Sequence, residues 1–327
     1  MSPRARVGIV VAALAAAAAG AVVGIVAVQT SGDEAGAAPA ATTAAERPEG
    51  APPLVLELGF RRDAEVQDLQ RAAGLYRAGR LGEARAIFDR HRSLEAKVGS
   101  AFARWPADTV KLMGRLAALN PRSALVQVNL GLARVWAGEA GADDAWREAQ
   151  AVEPDTPYAI TAGDLLHPGF ARGLPTFVPS FEVPASITEL PPARQLGALE
   201  RAAGGGVHER LLYGVGLQRV GRPVSAARAF AAAAHVAPQD VEAQVAAAVG
   251  RFDKARPAEA FSRLGPLTRR FPKAATVRFH LGLLLLWSGQ VEEAKRQLRL
   301  AERVEPGSPL ASEAKRYLER IGEAEAR

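Results

Sequence analysis

Pro238, Pro272 and Pro306 stand 34 residues apart, and Ala226, Ala260 and Ala294 keep the same interval. So do the large apolar positions Phe230, Leu264 and Leu298. A fixed period of this length means one supersecondary unit used several times. Each copy is too small to cover its own apolar face and must stack on a neighbour. The residue types supply the reason. Alanine at a fixed place lets two helix axes approach to about 8–10 Å, the larger side chain beside it fills the remaining space, and proline cannot continue a helix, so the chain turns there. The Ala- and Leu-rich composition favours helix over strand, because such side chains lose little rotamer freedom in a helix.

The last unit, Ala275 to Ser308, carries Leu281-Gly282, Leu285, Gly289 at the turn, Ala294, Leu298, Ala301 and Pro306. The unit Val207 to Asp240 carries Tyr213-Gly214, Leu217, Gly221, Ala226, Phe230, Ala233 and Pro238. Between them Val241 to Ala274 is looser: Ala247-Ala248 replaces the large-small pair and Arg251 stands where a large apolar residue belongs. A fourth copy, Ala124 to Thr156, has Leu130-Gly131, Gly138, Ala142, Trp146, Ala149 and Pro154. Glu65 to Val98 retains Ala72, Leu75, Gly79, Ala84 and Phe88 without the closing proline.

On these residues the chain resembles the tetratricopeptide repeat family. The resemblance implies an all-α, right-handed α-solenoid of helix pairs, and the domain plan follows. Residues 54–156 form a first repeat segment, 207–308 three repeats, and 309–327 a capping helix. That cap is expected to be polar outside at Glu313, Arg316, Glu319 and Arg320, and apolar at Leu310, Ala314, Tyr317 and Leu318. Residues 157–206 break the period with LLHPGFARGLPTFVPSFEVP, followed by a helix from Ala193 to Ala203 and a glycine run. This interruption is either a loop with a role or an ordinary insertion in a degenerate repeat.

Ahead of the repeats, Val7 to Val28 is apolar and uncharged. At about 1.5 Å per residue it reaches roughly 33 Å, enough to cross a hydrocarbon core. Arg4 and Arg6 precede it while Asp33 and Glu34 follow. As an uncleaved anchor, residues 1–30 place the chain in the plasma membrane as a single-pass protein, with the N-terminus cytoplasmic and the repeats outside. A cleaved signal peptide is the alternative. Residues 31–53 have almost no large apolar side chains and read as a disordered linker.

Several function classes fall away. There are no cysteines, so thiolate catalysis, disulfide scaffolds and zinc–thiolate sites are excluded. The net charge of +6 is spread among acidic residues rather than gathered into a basic stripe with aromatics, which argues against nucleic acid. None of the five histidines has metal-ligand spacing, and His208 beside Glu209 reads as solvated. Ser312 to Lys315 matches SxxK on the capping helix without companion motifs. No catalytic residues, metal or cofactor are expected, and the chain reads as a non-enzyme.

The family resemblance implies partner binding along the concave wall made by the first helix of each unit. The residues placed there are Leu211, Val215, Val249, Phe252, Phe279, Leu283, Leu286 and Trp287, with Gln218 also inward. One subset of the family clamps a C-terminal carboxylate with Lys, Arg and Asn. The matching positions here are Leu211, Val215, Ala246, Thr276 and His280, so that clamp is absent. An apolar wall suits a hydrophobic peptide or amphipathic helix, unless the end helix or the interrupting loop covers it. The expected role is a membrane-tethered scaffold, assembly factor or chaperone-like module for an unidentified protein or peptide. The alternative is an accessory subunit of an envelope biosynthetic or cytochrome c maturation complex.

Overall fold

The structure is a computed structural model and describes residues 50–59 and 61–326. The anchor or signal segment and most of the linker lie outside the described residues. Among the described residues there are sixteen α-helices and no strands. No helix among them is long and apolar enough to cross a membrane. They fall into two compact units, 50–166 and 167–326.

The first unit contains α1 (Ala64–Arg77), α2 (Leu81–Phe88), α3 (Leu94–Phe102), α4 (Thr109–Leu119), α5 (Ala124–Ala137), α6 (Ala142–Val152) and α7 (Pro157–Leu166). Side-chain caps start several of them: Asp63, Ser93 and Ser123 accept from the amides of Val66, Ala96 and Val126. The pairs α1–α2 and α5–α6 are the two copies anticipated from the period, and α6 packs in turn on α7. Helix α7 corrects the expectation of an irregular stretch from residue 157. Thr156 Oγ1 accepts from the Ala159 amide and Pro157 opens the helix, where its missing N–H costs nothing. Ala159, Ala162 and Gly163 are its buried residues. The period fails there, but helicity does not.

The second unit contains α8 (Ala185–Thr188), α9 (Pro192–Ala202), α10 (Val207–Arg219), α11 (Pro223–Val236), α12 (Val241–Val249), α13 (Ala258–Arg270), α14 (Ala275–Trp287), α15 (Val291–Val304) and α16 (Pro309–Glu325). Inner helices α10, α12 and α14 begin at the first residue of each 34-residue copy. Each is joined to an outer helix, giving the pairs α10–α11, α12–α13 and α14–α15. The copies share one packing device. A Cβ on Gly214 would overlap the Phe230 ring, and one on Gly282 would come within 2.9 Å of Leu298 Cγ. Gly131 stands in the same relation to Trp146 in the first unit. The small partner of each pair is therefore small because the ring or leucine of the outer helix occupies its side-chain space.

Glu305 shows a second device. Its carboxylate, just before Pro306, accepts from the Ala275 amide at 3.0 Å, capping the inner helix of its own copy. Glu153, just before Pro154, does the same for the Ala124 amide at 2.7 Å. The copy between Val241 and Ala274 departs from this pattern. Gly250 ends α12 in right-handed backbone and a loop to Pro257 replaces the usual glycine turn. Helix α16 closes the stack through Leu310, Ala314, Tyr317 and Ile321. Glu313, expected on its outer side, is buried at 5% exposure, with Arg316 beside it.

Candidate peptide-binding walls

In the second unit the inner faces of α10, α12 and α14 meet a strap, residues 168–183, that has turns and bends but no helix or strand of its own. Phe177 is the centre of the contact and is 1% exposed. Its ring stacks on His280 with centroids 5.0 Å apart and meets Phe230 edge-on at 5.6 Å. Phe170 meets Phe252 edge-on at 6.4 Å, and Phe181 stacks on His208 at 4.2 Å. His208 is thus solvent-exposed as expected, yet engaged through its ring face.

Side chains of the wall hold the strap by its main chain. The amides of Phe177, Val178 and Ser180 donate to Gln218 Oε1 at 3.0 Å, His280 Nε2 at 2.9 Å and Glu242 Oε2 at 3.2 Å. These acceptors stand on three different helices. At the other end the Ala171 amide donates to the Trp287 carbonyl at 3.1 Å, and buried Lys254 donates to the Ala171 carbonyl. Lys254 and Phe252 both come from the loop between α12 and α13. The most degenerate repeat is therefore the one whose loop reaches the strap.

His280 is fully buried. Its Nδ1 lies 2.7 Å from the Thr276 carbonyl, which only accepts, so Nδ1 carries the proton. Nε2 is then a bare acceptor for Val178. A neutral ring fits its surroundings: burial pushes its pKa from 6.5 down to about 4, with the Thr276 carbonyl opposing in part. Burial likewise raises the Glu242 carboxyl above its ordinary range, against the hydrogen bonds from Ser180.

All eight wall residues named from the sequence fall in one core. Leu211, Phe279 and Leu286 are 0% exposed, Leu283 is 1%, and Val215, Val249, Phe252 and Trp287 are between 2 and 7%. None offers free surface. Phe279 lies under the end helix, edge-on to Tyr317 at 5.9 Å. The rest share their core with Ala171, Phe177 and Val178 of the strap. The polar members of the wall that hold the strap, His280, Glu242 and Lys254, were not anticipated. Their signal was available: a His or Glu on the buried face of an otherwise apolar inner helix needs a partner.

The first unit repeats the arrangement in miniature. Residues 51–58 run extended, with Leu54, Leu56 and Leu58 against one core and Val55 against a second. Asn129, 0% exposed, pairs with Val55 in both directions: Oδ1 accepts its amide at 3.0 Å and Nδ2 donates to its carbonyl at 2.9 Å. Tyr76 donates to the Pro52 carbonyl at 2.6 Å, and the Glu57 amide donates to Tyr158 Oη at 3.0 Å. The last residues assigned to the linker, 50–53, are therefore partly packed. Asn129→Ala is expected to destabilise this unit by about 2 kcal/mol, because it strands the half-buried N–H and C=O of Val55. Urea unfolding measures this, and an unchanged midpoint refutes the role given to Asn129.

Elsewhere in the first unit, a cleft of about 290 Å³ is lined by Phe88, Asp89, Lys97, Arg104 and Arg115, among others. Among the described residues no group of three His, Cys, Asp or Glu is placed to hold a metal. Ser312 of the SxxK match donates to the Ser308 carbonyl on α16, and Lys315 lies 3.9 Å from Glu319. No protein-family model matches the chain, and no curated protein matches it.

Proposed function

We propose that the chain is a scaffold of tetratricopeptide-like helix pairs, right-handed in their stacking, that binds extended protein segments outside the plasma membrane, with residues 7–28 as its tether. The observation that carries this reading is the chemistry of the inner walls. In each unit, side chains of the inner helices hold a non-helical piece of polypeptide by its main chain, as peptide-binding grooves do. The wall bearing Leu211, Val215, Val249 and Phe252 is the partner-facing surface in this reading. Recognition of this kind needs no metal, cofactor or nucleophile, and the reading is of a non-enzyme.

Cross-linking in intact cells, followed by mass spectrometry of the full chain, tests it. The expected result is a recurrent partner protein joined to residues of the inner helices or their connecting loops. Recovery of intra-chain links only, or of partners in proportion to their abundance, counts against the scaffold role.

A further inference from the structure

We infer that residues 168–183 occupy the C-terminal groove in place of an external ligand. The ligand is a non-helical segment of another polypeptide, with an aromatic anchor followed by free main-chain N–H groups. This rests on the reading of that wall as a peptide-binding surface, and it names both the partner's chemistry and what regulates access.

The wall specifies its occupant. Gln218 Oε1, His280 Nε2 and Glu242 Oε2 all accept from the strap, and His280 Nε2, its Nδ1 proton committed to Thr276, calls for a donor. A carboxylate tail brings only acceptors and is opposed at His280 Nε2 and at the Glu242 carboxylate. A main chain that follows the strap's non-helical path brings donors at the first, second and fourth positions. Pro179 falls at the third, where the wall spends no acceptor. Lys254 sets the opposite requirement six residues upstream of Phe177, where it takes a carbonyl. The pocket between Phe230 and His280 takes the aromatic side chain at the first of the donor positions.

The strap is also built to leave without dismantling what it covers. The Ala171 amide meets the Trp287 carbonyl, while the amides of Phe177, Val178 and Ser180 meet wall side chains rather than wall backbone. The strap belongs to no helix, and Gly173 gives it a left-handed bend at φ 72°. Behind the inner helices, Ala226, Leu264, Ala294 and Leu298 pack the helix pairs together. Opening of the strap exposes one face and breaks no helical ladder. Segments of that kind open at lower free energy than the core. Covalent attachment gives the strap an effective concentration on the order of millimolar. An external segment with equal contacts competes against that and binds the closed form weakly.

Two measurements test the inference. In hydrogen exchange on the full chain, the amides of Phe177, Val178 and Ser180 are expected to exchange at least about tenfold faster than those of Leu283, Leu284 and Leu285 inside α14. Equal protection overturns the inference, because the strap then leaves only when the unit unfolds. A labelled synthetic peptide of residues 168–184 is then titrated by fluorescence anisotropy against the full chain and its Phe177→Ala variant. Binding at least about 30-fold tighter to the variant is expected, since its strap competes less well. Equal affinity, or no binding to either, overturns it. If Phe177→Ala loses its helical circular dichroism, the exchange experiment on the unaltered chain decides alone. Failure here marks the strap as a permanent part of the core. The scaffold role fails separately, on the cross-linking result.

Discussion

Phe230→Ala is expected to lower the stability of the C-terminal unit by about 3–5 kcal/mol, the range for deleting a fully buried aromatic side chain. The residue is 0% exposed and does three jobs at once. From the outer helix α11 its ring fills the space that a side chain on Gly214 would take, fixing how closely α10 and α11 approach. A Cβ on Gly250 would also come within 3.1 Å of it, so it reaches the following copy. Its edge contact with Phe177 makes it the floor of the strap's anchor pocket. The cavity left by alanine lies at a junction of two helix pairs and the strap, where collapse of one wall pulls on the others. Phe230→Leu retains most of the volume and should cost well under half as much. Urea unfolding followed by circular dichroism at 222 nm measures both. If Phe230→Ala and Phe230→Leu cost the same, the ring is not the keystone of this junction.

The period carried much of the fold because a repeated helix pair writes itself locally. Val207, Val241 and Ala275 begin inner helices, Gly221 and Gly289 adopt the positive φ their turns require, and Gly282 faces Leu298. The apolar run Leu281 to Trp287 belongs to α14, whose residues are buried almost all round. That helix touches its outer partner, the preceding inner helix and the end helix, and its His280 holds the strap. The strap was not legible. Val178 meets His280 across 102 residues, and a segment without periodicity leaves no local record of where it docks. The site was half legible: apolar wall residues follow from spacing, but polar groups facing the strap look like exceptions until their partner is known. Residues 54–58 did leave a trace in LVLEL, where alternate leucines face one core, the period-two mark of an extended segment. Helix α7 escaped because its small buried residues, Ala159, Ala162 and Gly163, lack the bulk that makes a period visible.

The burial of His280 is expected to make the C-terminal unit acid-sensitive. Once unfolded, the imidazole takes a proton near its ordinary pKa of 6.5; in place it does so only at about 4. Between those values the unfolded chain binds a proton that the folded chain refuses, so stability falls as pH drops from about 7 to 4 and levels off below. The difference corresponds to about 3 kcal/mol. Glu242 works in the opposite direction. Its raised carboxyl holds a proton more firmly when folded, so its contribution is lost as pH rises through its folded value. His280→Gln separates the two, because the amide oxygen still accepts from Val178 but does not titrate. The stability gap between wild type and His280→Gln is expected to shift by about 3 kcal/mol, against wild type, between pH 7.5 and pH 4, read from urea titrations at each pH. A gap independent of pH sinks the assignment of the neutral ring. The strap should also go first: a protonated Nε2 sets one donor against the Val178 amide, and swinging the strap away is the smallest movement that relieves it. Protection of the Val178 amide, taken relative to intrinsic exchange at each pH, should therefore fall with acid before that of Leu284 does. Simultaneous loss of protection would mean that the proton reaches His280 only through unfolding of α14 itself.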